Sequence, residues 1–245
     1  GHAIVLPMAE IQLSRGESVA DTARVLSRFL DGIVIRTYDH SLVQEWAHEA
    51  TMPVINGLTD LSHPCQALSD LMTIKEKKGR LKGLKLAYIG DGNNVANSLI
   101  EAAAKVGMHI ALGCPVGYQP DQHVVDQARQ EAARSGADIE VGVDPQIAVK
   151  DADVLYTDVW ISMGREREQA RRLRTLAPYQ LNGRLLQKAK PDAIVMHCLP
   201  AHRGEEMTAD VLDGKQSVVI DQAENRLHMQ KAILVQLLTQ KKGRA

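Results

Sequence analysis

Aromatic side chains are scarce: one phenylalanine, five tyrosines and two tryptophans make up 3% of 245 residues. The core must therefore be aliphatic, and a hydrophobic content of 44% can supply it while excluding disorder and collagen-like structure. Neither sign of charge prevails. With 29 Lys and Arg against 30 Asp and Glu, the net charge is −1, so no broad basic field exists to attract nucleic acid or an anionic membrane. An anion has to be bound locally. No apolar run approaches the roughly 18 residues of a membrane span. The three cysteines, Cys65, Cys114 and Cys198, lie far apart with no C-x-x-C pair. That argues against a disulfide framework and fits a reducing compartment, with the cytoplasm as the expected location.

What is present is an alternation of strand-like apolar runs with helix-like periodic ones, without internal repeats or low-complexity segments. This alternation predicts an α/β protein of two doubly wound, parallel-sheet domains. Strands are expected at 3–6, 32–36 and 53–55 and helices at 18–30 and 41–50, followed by a long helix to about Lys78 with Ser62 as its N-cap and Pro64 in its first turn. The basic, glycine-broken run 75–82 marks the boundary. The first domain is then 1–78 and the second 84–221, with a C-terminal helix, 222–245, returning to the first. Further strands are expected at 84–89, 110–112, 139–141, 154–157, 194–197 and 218–220. Gly1 to Pro7 reads as a strand already in progress, which predicts chain upstream of it.

In such sheets ligands bind beyond the carboxyl ends of the strands, so chemistry is sought there, in a crevice between the domains. Gly90-Asp91-Gly92 is half of a dinucleotide fingerprint, but Val95 takes the third glycine position and Gly113-Cys114-Pro115 carries no acidic ribose ligand. Nucleotide binding is disfavoured on both counts. A plain tight turn accounts for the glycines, while Asn93 and Asn94 at the following helix start suit a carboxylate. Arg36 follows the apolar Ile33-Val34-Ile35; His63 and Gln66 flank Pro64-Cys65 at a helix start. His63 can serve as cap or ligand, and together with Arg36 it suits phosphate plus carbonyl. Asp158 and Cys198 end two further strands, where they can hold an amine and strip its proton, or simply be a capping aspartate and a small buried thiol. His197, Cys198 and His202 match no common zinc spacing. The arginine-rich stretch 165–174, which also carries glutamates, reads as a solvated helix or loop.

His63-Pro64-Cys65-Gln66, the Ser162-Met163-Gly164 loop after Asp158, and His197-Cys198-Leu199-Pro200, in this order, resemble the aspartate/ornithine carbamoyltransferase family. The likeness extends through Asp21-Thr22-Ala23-Arg24 and Glu224-Asn225-Arg226. H-P-x-Q marks the wider family, and S-M-G with H-C-L-P favours L-ornithine as the acceptor. The resemblance implies that Gln12, Arg36, His63, Gln66, Cys198, Leu199 and Arg226 contact carbamoyl phosphate and that Asn94, Asp158, Ser162 and Met163 hold ornithine. Cys198, Asp158, Arg36 and His63 would be the catalytic groups, with no metal or organic cofactor. The position of Gln12 implies a neighbouring subunit's site and thus a homotrimer or a multiple of one. The family's S-x-R-T-R phosphate loop, with the first strand and helix of its domain, is expected before Gly1, making the first domain incomplete over these residues. A relative acting on another amine, or a noncatalytic relative kept for binding or assembly, are the alternatives.

Overall fold

The computed structural model describes residues 1–7, 10–161 and 166–239. The chain divides into two compact units, Gly1–Asp60 with Ala232–Ala245, and Leu61–Lys231. Compactness thus divides the chain before the long helix, whereas the composition break lies after it.

The first unit contains α1 (Val19–Leu26), β1 (Ile33–Arg36), α2 (His40–Glu49) and β2 (Val54–Leu58), with a 3-10 turn at Gln12–Arg15. Ser18 caps α1 by accepting from the Asp21 amide at 3.0 Å, and Asp39 caps α2 through the Ser41 amide at 2.8 Å, each satisfying a helix-end donor. β1 and β2 pair in parallel, Ile33 opposite Val54, over a core of Ala23, Ile35, Val43, Trp46 and Met52. The strand expected at 3–6 is not formed: those residues are irregular and Val5 is 86% exposed. Alternating apolar residues become a strand only where a ladder partner takes up their backbone groups.

The second unit continues with α3 (Pro64–Lys78), β3 (Lys85–Ile89), α4 (Asn94–Val106), β4 (His109–Gly113), α5 (Gln122–Ser135), β5 (Ile139–Gly142), α6 (Pro145–Val149), β6 (Val154–Thr157), α7 (Gln169–Leu176), α8 (Gly183–Leu186), β7 (Ile194–His197), α9 (Ala209–Leu212) and the first part of α10 (Val219–Thr239), whose residues from Ala232 onward belong to the first unit. All five strands are parallel, in the order β5-β4-β3-β6-β7. β6 and β7 are buried along their whole length and β3 is buried from Leu86 onward, which is why they read as continuous apolar runs. Strand order reverses between β3 and β6, and a parallel sheet opens its ligand crevice at such a reversal.

The strand expected at 218–220 is instead the start of α10. Val195 bonds the backbone of Gln216 and Val218 in a single bridge, after which the chain turns helical. Ile220 is 72% exposed, so this short apolar run lacks a second buried face, and Asp221 in the first turn favours a helix start. Among the described residues no helix is long and apolar enough to cross a membrane.

Candidate active site

The switch point is built first from backbone. At Gly90 φ is +121°, a conformation L side chains rarely adopt, and a Cβ on Gly92 would lie 2.3 Å from the Pro120 nitrogen and 2.6 Å from the Gln119 carbonyl carbon. Both glycines are thus explained by the turn itself. It delivers Asn93 as the N-cap of α4, where Oδ1 accepts from the amides of Val95 at 3.0 Å and Ala96 at 3.3 Å, while the Tyr88 hydroxyl nearby donates to the Asp91 carbonyl at 2.9 Å. Those two backbone donors fix the amide's polarity. Its Nδ2 consequently faces the end of β6 and donates to Asp158 Oδ2 at 2.6 Å.

Asp158 is 6% exposed, and its other oxygen accepts from the Val159 amide and from Cys198 Sγ, each at 2.8 Å. Burial, and then the Asp158 charge beside it, push the Cys198 thiol well above its ordinary range, so at neutral pH the sulfur is a hydrogen-bond donor and not a thiolate. Behind it lies His197, fully buried, whose Nδ1 accepts from the Leu199 amide at 2.9 Å. The ring proton therefore sits on Nε2, 3.1 Å from Glu206 Oε1. Burial pushes the Glu206 carboxyl up, but hydrogen bonds from His197 and the His202 amide outweigh it and leave the pKa lowered. Leu199 is held at φ 55°, a left-handed conformation costing a side-chain-bearing residue about 1–2 kcal/mol. Its bond to His197 helps to maintain that shape beside Cys198. Asp158, His197 and Cys198 lie close enough for metal ligation, but both His197 nitrogens are committed and the thiol is neutral.

A second cluster forms where α3 begins. His63, and not Ser62, is the N-cap; it makes no side-chain capping bond, and Pro64 follows at the first helical position. The His63 side chain is buried and its backbone amide donates to Ser98 Oγ at 2.7 Å, tying α3 to α4. Gln66 is fully buried with both amide ends engaged: Nε2 donates to Asp70 Oδ1 at 2.8 Å and Oε1 accepts from Arg226 at 2.9 Å. Because α10 starts at Val219 and not at 222, Arg226 lies two turns inside that helix.

The structure thus brings together Asp158 with Cys198, and Gln66 with Arg226. Leu199 continues from Cys198, and Asn94 is the half-buried first residue of α4, beside the Asn93 that contacts Asp158. Arg36, exposed at the end of β1, and Gln12, exposed in the 3-10 turn, belong to the first unit. Ser162 and Met163 lie outside the described residues.

A further expectation is overturned. Arg172, in the stretch expected to be solvated, is 5% exposed: Nε donates to the Trp160 carbonyl at 2.6 Å, the guanidinium pairs with Asp91, and it stacks 4.9 Å from the Tyr118 ring centroid. The surrounding arginines gave no signal of this, because the groups that desolvate it lie outside the stretch, from Trp160, 12 residues earlier, to Asp91, 81 residues earlier.

The three thiols differ in a measurable way. Cys65 and Cys114 are buried, the latter with its pKa pushed up to about 12, whereas Cys198 is partly exposed. Cys198→Ala should lower kcat or weaken acceptor binding while leaving the unfolding midpoint nearly unchanged, and substrates should shield Cys198 from thiol reagents. A variant with normal kinetic constants but reduced stability would reduce Cys198 to a packing residue.

Residues 82–237 match the family described as aspartate/ornithine carbamoyltransferase, Asp/Orn binding domain, and residues 1–76 match its carbamoyl-P binding domain. The chain is 60% identical to the ornithine carbamoyltransferase of Anoxybacillus flavithermus over 97% of its own length and 76% of that protein's. It is 58% identical to the anabolic ornithine carbamoyltransferase of Pyrococcus furiosus, over 96% of this chain and 74% of that one. A solved ornithine carbamoyltransferase structure from Pyrococcus furiosus superposes with a TM-score of 0.94 at 56% identity, covering all of this chain and 77% of the other.

Proposed function

Since the chain belongs to the aspartate/ornithine carbamoyltransferase family, we propose that it transfers the carbamoyl group of carbamoyl phosphate to the δ-amine of L-ornithine, yielding L-citrulline and phosphate. The observation that carries this reading is Asp158, held by Asn93 and the Cys198 thiol at the point where strand order reverses. A carboxylate so fixed can seat a δ-ammonium and accept its proton, and the neutral thiol adds a soft, short donor at the same spot. The free amine then attacks the carbonyl carbon, a tetrahedral intermediate forms, and the C–O bond to phosphate breaks. Asp158 releases that first proton to solvent, and the second, lost by the nitrogen as the new bond forms, ends on phosphate, either directly or by way of Asp158.

The family likeness assigns Gln12, Arg36, His63, Gln66 and Arg226 to carbamoyl phosphate, together with Cys198 and Leu199. Arg36 and His63 would stabilise charge growing on the carbonyl oxygen, an arrangement in which one preorganised donor is commonly worth about 10²–10³ in rate. Asn94, Asp158, Ser162 and Met163 are assigned to ornithine. The same reading makes the protein a cytoplasmic homotrimer or a multiple of one, supplying citrulline for arginine synthesis.

Acceptor choice tests the assignment. Ornithine carries an α-carboxylate that putrescine lacks, so kcat/KM should be larger for ornithine by about 10²-fold or more, the effect of leaving a site's polar partners unpaired. Equal use of putrescine would make this a carbamoyltransferase for a different amine.

A further inference from the structure

The reaction proposed above leaves the buried carboxylate of Asp70 unused. Asp70, on α3, is fully buried, and among the described residues no cation pairs with it; Arg226 reaches it through Gln66. Burying a carboxylate without an ion partner is costly, and an apolar residue in its place would commonly be no less stable. Desolvation raises its pKa to about 6 despite three side-chain hydrogen bonds. The position therefore asks for an explanation other than stability.

The hydrogen bonds supply one. Oδ1 accepts from Gln66 Nε2 at 2.8 Å and from Gln222 Nε2 at 2.7 Å, while Oδ2 accepts from the Tyr156 hydroxyl at 3.0 Å. Gln66, Gln222 and Tyr156 are all at most 1% exposed. The two ends of a glutamine amide have nearly the same shape, so in a closed interior only hydrogen-bond partners decide which way it points. A carboxylate accepts and cannot donate, so each glutamine must turn its NH2 toward Asp70 and its oxygen away. Gln66 Oε1 then accepts from Arg226 at 2.9 Å, and Gln222 Oε1 accepts from the backbone amide of His197 at 2.9 Å. One output thus reaches a cation assigned to carbamoyl phosphate, and the other reaches the residue immediately before Cys198.

We propose that Asp70 is a positioning residue for the transfer reaction, setting the polarity of Gln66 and Gln222 and so orienting Arg226 on one side and the His197–Cys198 backbone on the other. The proposal rests on the carbamoyltransferase reading, because that reading assigns Arg226 and Cys198 their substrates. Asparagine at position 70 can keep its oxygen toward both glutamines and donate its NH2 to the Tyr156 hydroxyl, so it preserves polarity while removing charge. Alanine preserves neither.

Steady-state kinetics on purified wild type, Asp70→Asn, Asp70→Ala and Gln222→Met separate the possibilities. Asp70→Ala should raise the KM for carbamoyl phosphate by about tenfold or more, the scale of one misdirected charge-assisted hydrogen bond, and should also lower kcat. Asp70→Asn should recover most of both losses. Gln222→Met, which cuts the branch to His197 together with the Gln222 bonds to Asp70 and the Tyr156 hydroxyl but leaves Gln66 and Arg226 in place, should lower kcat while leaving the KM for carbamoyl phosphate within about threefold of wild type. If Asp70→Ala does not fold, the Asn and Met variants still decide the matter. Wild-type constants in Gln222→Met, or an Asn variant as impaired in the KM for carbamoyl phosphate as Arg226→Ala, overturn the assignment. A failure of wild type itself to form citrulline counts against the functional reading, whereas unchanged variants beside an active wild type count against Asp70 alone.

Discussion

Replacing Asp158 with asparagine is expected to lower kcat for citrulline formation by about 10²–10⁴-fold, the range associated with a positioned acid–base group. The substitution is nearly isosteric, and one side-chain oxygen can still accept from the Val159 amide. Its new NH2, however, would face Asn93 Nδ2, now 2.6 Å from Asp158 Oδ2, and Asn93 cannot reverse without abandoning its cap of α4. The variant therefore loses the charge that seats the amine and acquires a donor–donor conflict at the point of contact. Kinetics with both substrates, run beside a thermal unfolding curve, separate these effects. A folded variant with kcat near wild type would remove Asp158 from the chemistry and leave it as a structural end to β6.

The largest stability effect is expected at Arg172. Its side chain is 6% exposed and that of its partner Asp91 is 13% exposed, so Arg172→Ala withdraws the guanidinium from a desolvated carboxylate and from the Trp160 carbonyl together. Removing one partner of a buried pair costs about 3–5 kcal/mol. Arg203 and Asp213 make the informative control: they too pair, at 2.7 Å, but both side chains are more than half exposed, and Arg203→Ala should leave the unfolding midpoint close to that of wild type. Urea unfolding of the two variants reads the difference directly. Since Asp91 lies in the turn that presents Asn93, Arg172→Ala should also impair turnover; equal stability of the two variants would contradict the burial argument.

The parallel sheet and most helix spans were legible because β3, β6 and β7 are buried on both faces and write that burial into continuous apolar runs. The ends of those strands were legible for the same reason, and with them Asp158 and Cys198. The errors share a cause in long-range context. Val218 to Ile220 is apolar enough for a strand, but whether it pairs beyond one bridge depends on β7. Ala3 to Leu6 alternates in composition without finding a ladder. Arg172 looks solvated beside its arginine neighbours, and only Asp91, Tyr118 and Trp160 reveal otherwise. Asp70 gave no local signal at all: its partner Gln222 is 152 residues away, and Arg226 lies 160 residues from the Gln66 it contacts. Asn93 was visible as part of a helix start, but its bond to Asp158, 65 residues away, was not.

The most direct measurement of the central claim follows the new bond itself. Carbamoyl phosphate labelled with ¹³C at its carbonyl is incubated with the protein and ornithine labelled with ¹⁵N at the δ position, and the product is read by NMR. Transfer to the δ-amine predicts a ureido carbon split by one-bond coupling to ¹⁵N, appearing in step with inorganic phosphate and absent in Asp158→Asn over the same interval. Release of phosphate with the ¹³C recovered only as hydrolysis products, and no carbon–nitrogen coupling, would contradict it.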